Sequence, residues 1–340
     1  VLVPTSLEEF DEAESIVGLR QANERLQRQL KEAKDREQRL VDATLQGAYD
    51  AFLSMGKMAP VPVPKTDRRR KPEAALLHLT DWQGAKLTTS YNSQVMRERV
   101  LRFMDKVESI TEIQRKDHPV KQATILFGGD MVEGLFQFPS QPFEIDATIF
   151  DQYVNVSRLL VDVTRRALAI FETVTVLPEW GNHGRLGSKR DAIPRSDNID
   201  RLCYELAKQL LAGETRLLWN DCPEDIQHGN IGNYSFLSCH GDEVGRNGYA
   251  SPTGLVNWVV RQQSGAYPHA FTDVYMGHYH VAQSWSLPSG KGRLFLTGST
   301  ESDNRYAGVM LAASATPSQR LHFVDPEKGR VSAEYLVWLD

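Results

Sequence analysis

Residues 123–130 read Ala123-Thr124-Ile125-Leu126-Phe127-Gly128-Gly129-Asp130. A short, nearly continuous apolar run of this kind marks a strand covered on both faces. The glycines that end it lead directly to an acid. The same pattern recurs on either side along the chain. Ala74 to Thr80 is followed by Asp81-Trp82-Gln83, and Thr173 to Leu177 by Gly181-Asn182-His183. Tyr234 to Cys239 is followed by His240-Gly241, and Asp273 to Met276 by Gly277-His278-Tyr279-His280. Five predicted strands therefore each deliver ligand-type side chains just past their C-terminal ends, the edge at which open α/β sheets place their sites.

Helical patterns fill Ser93 to Arg115, Ile149 to Phe171, Asn198 to Leu211 and Gly254 to Gln263. Beyond residue 280 the chain becomes strand-rich, with runs at Ala282 to Leu287, Arg293 to Thr297, Arg320 to Val324 and Val331 to Trp338. The last two are joined by the turn-forming Asp325-Pro326-Glu327-Lys328-Gly329. Strand and helix alternating first, then strands alone, predict an α/β domain of layered mixed sheets spanning residues 73–340.

The side chains at the strand ends are two carboxylates (Asp81, Asp130), the Asn182 amide and the imidazoles of His240, His278, His280 and His183. Such a mixed oxygen and nitrogen set suits Mn, Fe, Zn, Ni or Co rather than calcium. With no cysteine among them, a structural zinc knot is not expected. The three cysteines, Cys203, Cys222 and Cys239, form no CxxC pair and suit a reducing cytosol.

In these residues the chain resembles the calcineurin-like metallophosphoesterase superfamily, whose ordered blocks are D-x-H, G-D, G-N-H-[D/E], a lone H and G-H-x-H. The resemblance runs from about residue 74 to residue 300. It implies a layered αββα sandwich and two divalent metal ions, with a hydrolase acting on phosphodiester bonds by way of a metal-activated water. Carried over by position, Asp81 and His280 bind the first metal, Asp130 bridges both, and Asn182, His240 and His278 bind the second. His183 is then a catalytic, substrate-facing group rather than a ligand. Two positions depart from the pattern. Gln83 replaces the first histidine, offering at most a neutral amide oxygen, so Mn is the expected cofactor, with Mg, Fe, Zn, Ni and Co as alternatives. Gly184 replaces the acid that orients the catalytic histidine in the family. Asp81-Trp82 also looks like the nuclease subunits of double-strand-break repair complexes, and Gly181-Asn182-His183-Gly184-Arg185 looks like phage-encoded relatives. These features point to a nuclease acting on DNA. The alternatives are a small-molecule phosphodiesterase or phosphatase and a non-catalytic, metal-stabilised interaction module.

Upstream of this domain, residues 7–53 lack proline and are rich in helix formers. A heptad frame places Ile16, Asn23, Leu30 and Glu37 at a and Leu19, Leu26, Ala33 and Leu40 at d, so residues 1–53 are expected to form a long helix able to pair as a coiled coil. Homo-oligomer formation is one reading; packing of the stripe on the chain's own domain is the other. Residues 54–72, with Pro60, Pro62, Pro64 and Pro72 among Lys65, Arg68, Arg69, Arg70 and Lys71, read as an extended basic linker.

The chain has 39 Lys and Arg against 44 Asp and Glu, a formal net charge of −5. That balance argues against nucleic-acid binding through a broad basic surface. No apolar stretch is long enough to span a bilayer and no export signal is visible, so a cytoplasmic protein without membrane association is expected. His78, inside a predicted strand, reads as a core or surface histidine rather than a ligand, and His118, His228, His269 and His322 match no block. Trp82 reads as packing rather than as a base-stacking group. Arg185, Lys189, Arg190 and Arg195 are open to two readings, a substrate-phosphate grip or a solvated loop.

Overall fold

The structure is a computed structural model that describes residues 59–63, 71–187, 193–221, 224–244, 250–303 and 316–340, with further positions between 18 and 50. The chain divides into two compact units, Val1–Gly56 and Lys57–Asp340. In the first, the described positions are helical, and Leu26 and Leu30 of the heptad stripe are exposed, as is Asn23. Ile16, Leu19, Ala33, Glu37 and Leu40 lie outside the described residues, as do Lys65, Arg68, Arg69 and Arg70 of the basic run.

The second unit contains two mixed sheets. The first has β1 (Glu73–Leu79), β2 (Val120–Gly128), β3 (Thr173–Glu179) and β4 (Leu217–Trp219) in parallel. It is extended antiparallel beside β1 by β10 (Ser318–Asp325) and then β11 (Arg330–Trp338). The second sheet runs in the order β5 (Ile226–Ile231), β6 (Tyr234–Cys239), β7 (Asp273–Met276), β9 (Arg293–Leu296) and β8 (Gln283–Ser286). In it β6, β7 and β9 are parallel.

The period-2 alternation of strand side chains explains the layering. Leu76, Leu126, Leu177 and Val324 of the first sheet meet Tyr234, Phe236, Tyr275 and Phe295 of the second in one buried cluster. The neighbouring residues Leu237, Cys239, Val274, Met276, Leu294 and Leu296 point the other way and pack on Leu255 and Val259 of the helix Pro252–Arg261. On the opposite side, Phe127 stacks on Tyr204 of the helix Ile199–Leu210. Helix, sheet, sheet, helix is therefore the order of the layers, the αββα sandwich that the resemblance implies.

The remaining helices are α1 (Ser93–Gln114) and α2 (Ile149–Ile170); Ile199–Leu210 is α3 and Pro252–Arg261 is α4. Each begins where a polar side chain accepts an otherwise unpaired backbone N–H. Asn92 accepts from Val95 N, Thr148 from Asp151 N, Asn198 from Asp200 N and Ser251 from Gly254 N. Pro252 at the first position of α4 needs no such partner.

The expected strands form within three residues of their expected ends, the largest difference being β2, which starts at Val120 rather than Ala123, whereas β4 and β5 are not marked by the apolar pattern. β4 is only three residues long, and β5 (Ile226-Gln227-His228-Gly229-Asn230-Ile231) is polar and interrupted by glycine. The described part of the Pro-rich segment is extended and held to this unit: Val61 N donates to Glu214 Oε1 (3.1 Å), and Arg216 donates to Val61 O (2.6 Å). Cys203 and Cys239 are buried free thiols. No helix among the described residues is long and apolar enough to cross a membrane.

Candidate metal centre

All five predicted blocks meet at one edge of the sandwich. The loops after β1, β2 and β3 come from one sheet and those after β6 and β7 from the other. His240 Nδ1 sits 2.8 Å from Gly128 O, and Asp81 N donates to Gly129 O (3.0 Å), so the loop ends are tied to each other as well as to their strands.

The backbone here is unusual. Asp81, Gln83, Asp130, His278 and His280 have φ values of 52°, 48°, 51°, 65° and 57°. Non-glycine residues rarely adopt this left-handed region, and such strain concentrates at functional sites. Five of the seven predicted ligands share it.

The side chains form two groups joined by one carboxylate. In the first, His280 Nε2 lies 3.3 Å from Asp81 Oδ1 and 3.2 Å from Gln83 Nε2. In the second, His240 and His278 approach edge to face with ring centroids 5.1 Å apart. Asp130 Oδ2 lies 3.4 Å from Gln83 Nε2 and 3.0 Å from His240 Nε2, touching both groups. Ligand atoms of Asp130, His240 and His278 all fall within 4.8 Å of one another. Asn182 is buried in the adjoining loop.

A test of fit comes from polar atoms without partners. Among the described residues, no hydrogen bond reaches Gln83 Oε1 or Asn182 Oδ1, although both are buried. Leaving a buried polar atom unpaired is costly, and native proteins rarely do so. Two such oxygens on two predicted ligands, beside the Asp130 carboxylate and the His240 and His278 imidazoles, fit a divalent transition metal. Gln83 turns its amide nitrogen toward Asp130 and His280; rotating the amide by a half turn would bring Oε1 among them.

The surrounding charges fit this picture. Burial opposes ionisation of Asp130, but the His240 and His183 imidazoles beside it hold its carboxyl far below the usual range. Burial likewise opposes charge on His280, while Asp81 and Glu301 raise it to about 10.

Four contributors were not singled out from the sequence. Glu301, in the loop after β9, places Oε2 3.2 Å from His280 Nδ1, leaving Nε2 for a metal. Glu133, three residues past Asp130, places Oε2 3.1 Å from His183 Nδ1. Gln141 Nε2 lies 3.3 Å from the same nitrogen. Asp200, in the first turn of α3, accepts from Met131 N and Val132 N (3.1 Å each) and from Gly181 N (2.9 Å), fastening the loop of Asp130 to that of Asn182.

The same region explains Gly184. A Cβ there would stand 2.3 Å from Asn198 Oδ1, the atom that caps α3. The acid expected after His183 has no room, and Glu133 supplies a carboxylate from the other side.

Trp82 is fully buried and packs edge to face on Phe127. His78 and His322 are core residues, bonded to Thr297 Oγ1 (2.7 Å) and Tyr275 OH (2.9 Å). Arg185 pairs with Asp242 (2.5 Å), and Arg195 with Asp242 (2.7 Å) and Glu243 (2.8 Å), so both guanidiniums are engaged by the loop after His240. Lys189 and Arg190 lie outside the described residues.

No family model and no curated protein matches the chain. Solved structures similar to it include zinc-complexed Vps29 from Entamoeba histolytica (13% identity, 78% of this chain, 99% of that one, TM-score 0.36). The phosphoesterase Yfce from E. coli is similar at 13% identity over 78% of this chain and 100% of its own, with a TM-score of 0.34. A predicted phosphoesterase from Streptococcus pneumoniae is similar at 12% identity over 79% and 100%, with a TM-score of 0.33. Likenesses this distant leave the chemistry to be read from the donor set.

Proposed function

We propose that this chain is a metal-dependent phosphodiesterase that hydrolyses DNA. The observation that carries the reading is the position of Asp130, one carboxylate in contact with Gln83 on one side and His240 on the other. Asp81, His280 and the Gln83 amide oxygen would hold one divalent ion; Asn182, His240 and His278 would hold a second; Asp130 would serve both. A carboxylate is the side chain able to do this. Divalent ions in such a pair, Mn best matching the mixed donors, supply Lewis acidity at phosphoryl oxygens and an acidified water for in-line attack.

The protein's own part centres on His183. Glu133 accepts at Nδ1 and fixes the tautomer, so Nε2 is the nitrogen left to face a phosphate. Nε2 stands 3.9 Å from Asp130 Oδ2, next to the bridging position without belonging to either ligand group. A protonated His183 there can donate to the leaving oxygen, the role of a general acid. The choice of DNA is supported by the likeness of the Asp81-Trp82 and Gly181 to Arg185 blocks to nucleases.

The test is hydrolysis by the purified protein with Mn, side by side on single-stranded DNA, duplex DNA, RNA and a bis-aryl phosphodiester. Cleavage of DNA that chelator abolishes and Mn restores supports the reading. Turnover of the small diester alone would move the substrate class to small phosphoesters. Metal that stabilises the fold without turnover of any diester would make the chain a binding module and overturn it.

A further inference from the structure

The loop between β2 and α2 carries three exposed phenylalanines, and α2 begins with a fourth. Phe136, Phe138, Phe143 and Phe150 are 45, 39, 87 and 36% exposed. Leu87, 45% exposed, is tied to the same loop next to Phe143, because its backbone N–H donates to Glu144 O (2.8 Å). Single exposed apolar residues need no explanation, but four phenylalanines within fifteen residues of one another in the chain, one of them against the candidate acid, do.

One of these rings touches the candidate chemistry. Phe138 meets His183 with ring centroids 5.2 Å apart and planes inclined by 61°. Its position is fixed by a buried side chain. Gln141 Oε1 accepts from Gln137 N (2.9 Å) and Phe138 N (3.1 Å), while Gln141 Nε2 donates to Glu133 O (2.5 Å) and lies 3.3 Å from His183 Nδ1. The backbone that presents the ring and the group that orients the histidine are thus one hydrogen-bonded unit. Meanwhile Arg185 and Arg195, which follow His183 in the chain, are engaged by Asp242 and Glu243.

We propose that this aromatic rim is a stacking platform for unpaired nucleobases flanking the scissile phosphodiester, so that the substrate is single-stranded DNA. The proposal rests on the phosphodiesterase reading and deepens it. A flat π face accepts any base, and stacking contributes about 1–3 kcal/mol per base, enough to offset a weak phosphate grip. Bases in a duplex have both faces covered by their neighbours, and only an unpaired one can lie on Phe138 while its phosphate reaches His183.

The experiment compares KM and kcat of the Mn-loaded protein on a labelled single-stranded oligodeoxynucleotide, its abasic counterpart of equal length and the corresponding duplex. Phe138→Ala should raise KM for the normal strand about tenfold or more, leave KM for the abasic strand unchanged, and be rescued by Phe138→Trp. Phe143→Ala, at the fully exposed end of the rim, should give a smaller loss of the same kind. If no diester is turned over, the hydrolase reading fails, and the same comparison is read as binding by fluorescence anisotropy. The platform itself is overturned by equal losses on normal and abasic strands, by a wild-type protein that does not distinguish them, or by light scattering in which Phe143→Asp converts a dimer to a monomer.

Discussion

Glu133 Oε2 lies 3.1 Å from His183 Nδ1, so the carboxylate that orients the candidate acid comes from the loop after β2 and not from the residue after the histidine, which is Gly184. Glu133 is itself held by Lys86, whose Nζ is 3.2 Å from Oε1. Glu133→Gln should therefore keep the fold and the metal complement but lower kcat about 10- to 100-fold, the usual effect of losing an orienting partner. Metal content measured beside kcat checks this; loss of metal in the variant would place Glu133 among the ligands.

Asp130 and His183 should separate in their effects. Asp130→Asn removes the charge shared by both ligand groups and is expected to abolish paired metal binding. His183→Ala should retain both metals and slow turnover by about 10²- to 10⁴-fold, as for loss of a general acid. Elemental analysis of the two variants distinguishes the roles, and a metal lost from His183→Ala would reassign that residue as a ligand.

Gln83→His introduces imidazole where the amide lies 3.2 Å from His280. Affinity for the first metal should rise, zinc most of all, because imidazole is the stronger zinc donor. Calorimetric titration with zinc and Mn measures it; unchanged affinity would show that residue 83 does not reach the metal.

Acid sensitivity should come from the core between the sheets. Burial first, then the charges of Arg320, His78 and Arg293, hold His322 neutral well below the usual histidine range, and burial with Arg320 lowers His78 to about 3. Each histidine takes up a proton near pH 6.5 when unfolded and does not when folded. Stability is therefore lost as pH falls from about 6.5, by about 1.4 kcal/mol per pH unit for each. His322→Gln keeps an acceptor for Tyr275 and removes one of these protons. Urea midpoints in chelator should show the wild type losing ground to the variant between pH 7 and pH 5; parallel curves would contradict the assignment.

The sheet edge was legible because every ligand block directly follows an apolar run, and a strand's end is a local feature. Glu301 could have been found by the same rule, since Ser299-Thr300-Glu301 follows β9 as His278 follows β7, but none of the five motif blocks falls there. Glu133, Gln141 and Asp200 act by tertiary hydrogen bonds, and nothing in their neighbours distinguishes them among the many polar residues of the chain. The exclusion of an acid at position 184 is likewise a matter of space, set by Asn198 in the following helix. β5 was hidden for a related reason: its polar pattern pairs only along one side, against β6.

The most direct measurement is metal stoichiometry and diester hydrolysis on one sample. After Mn saturation and desalting, the protein should hold two ions per chain and cleave a phosphodiester, with Asp130→Asn failing in both respects. One ion or none, together with no turnover of DNA, RNA or a small diester, would contradict the shared-carboxylate centre.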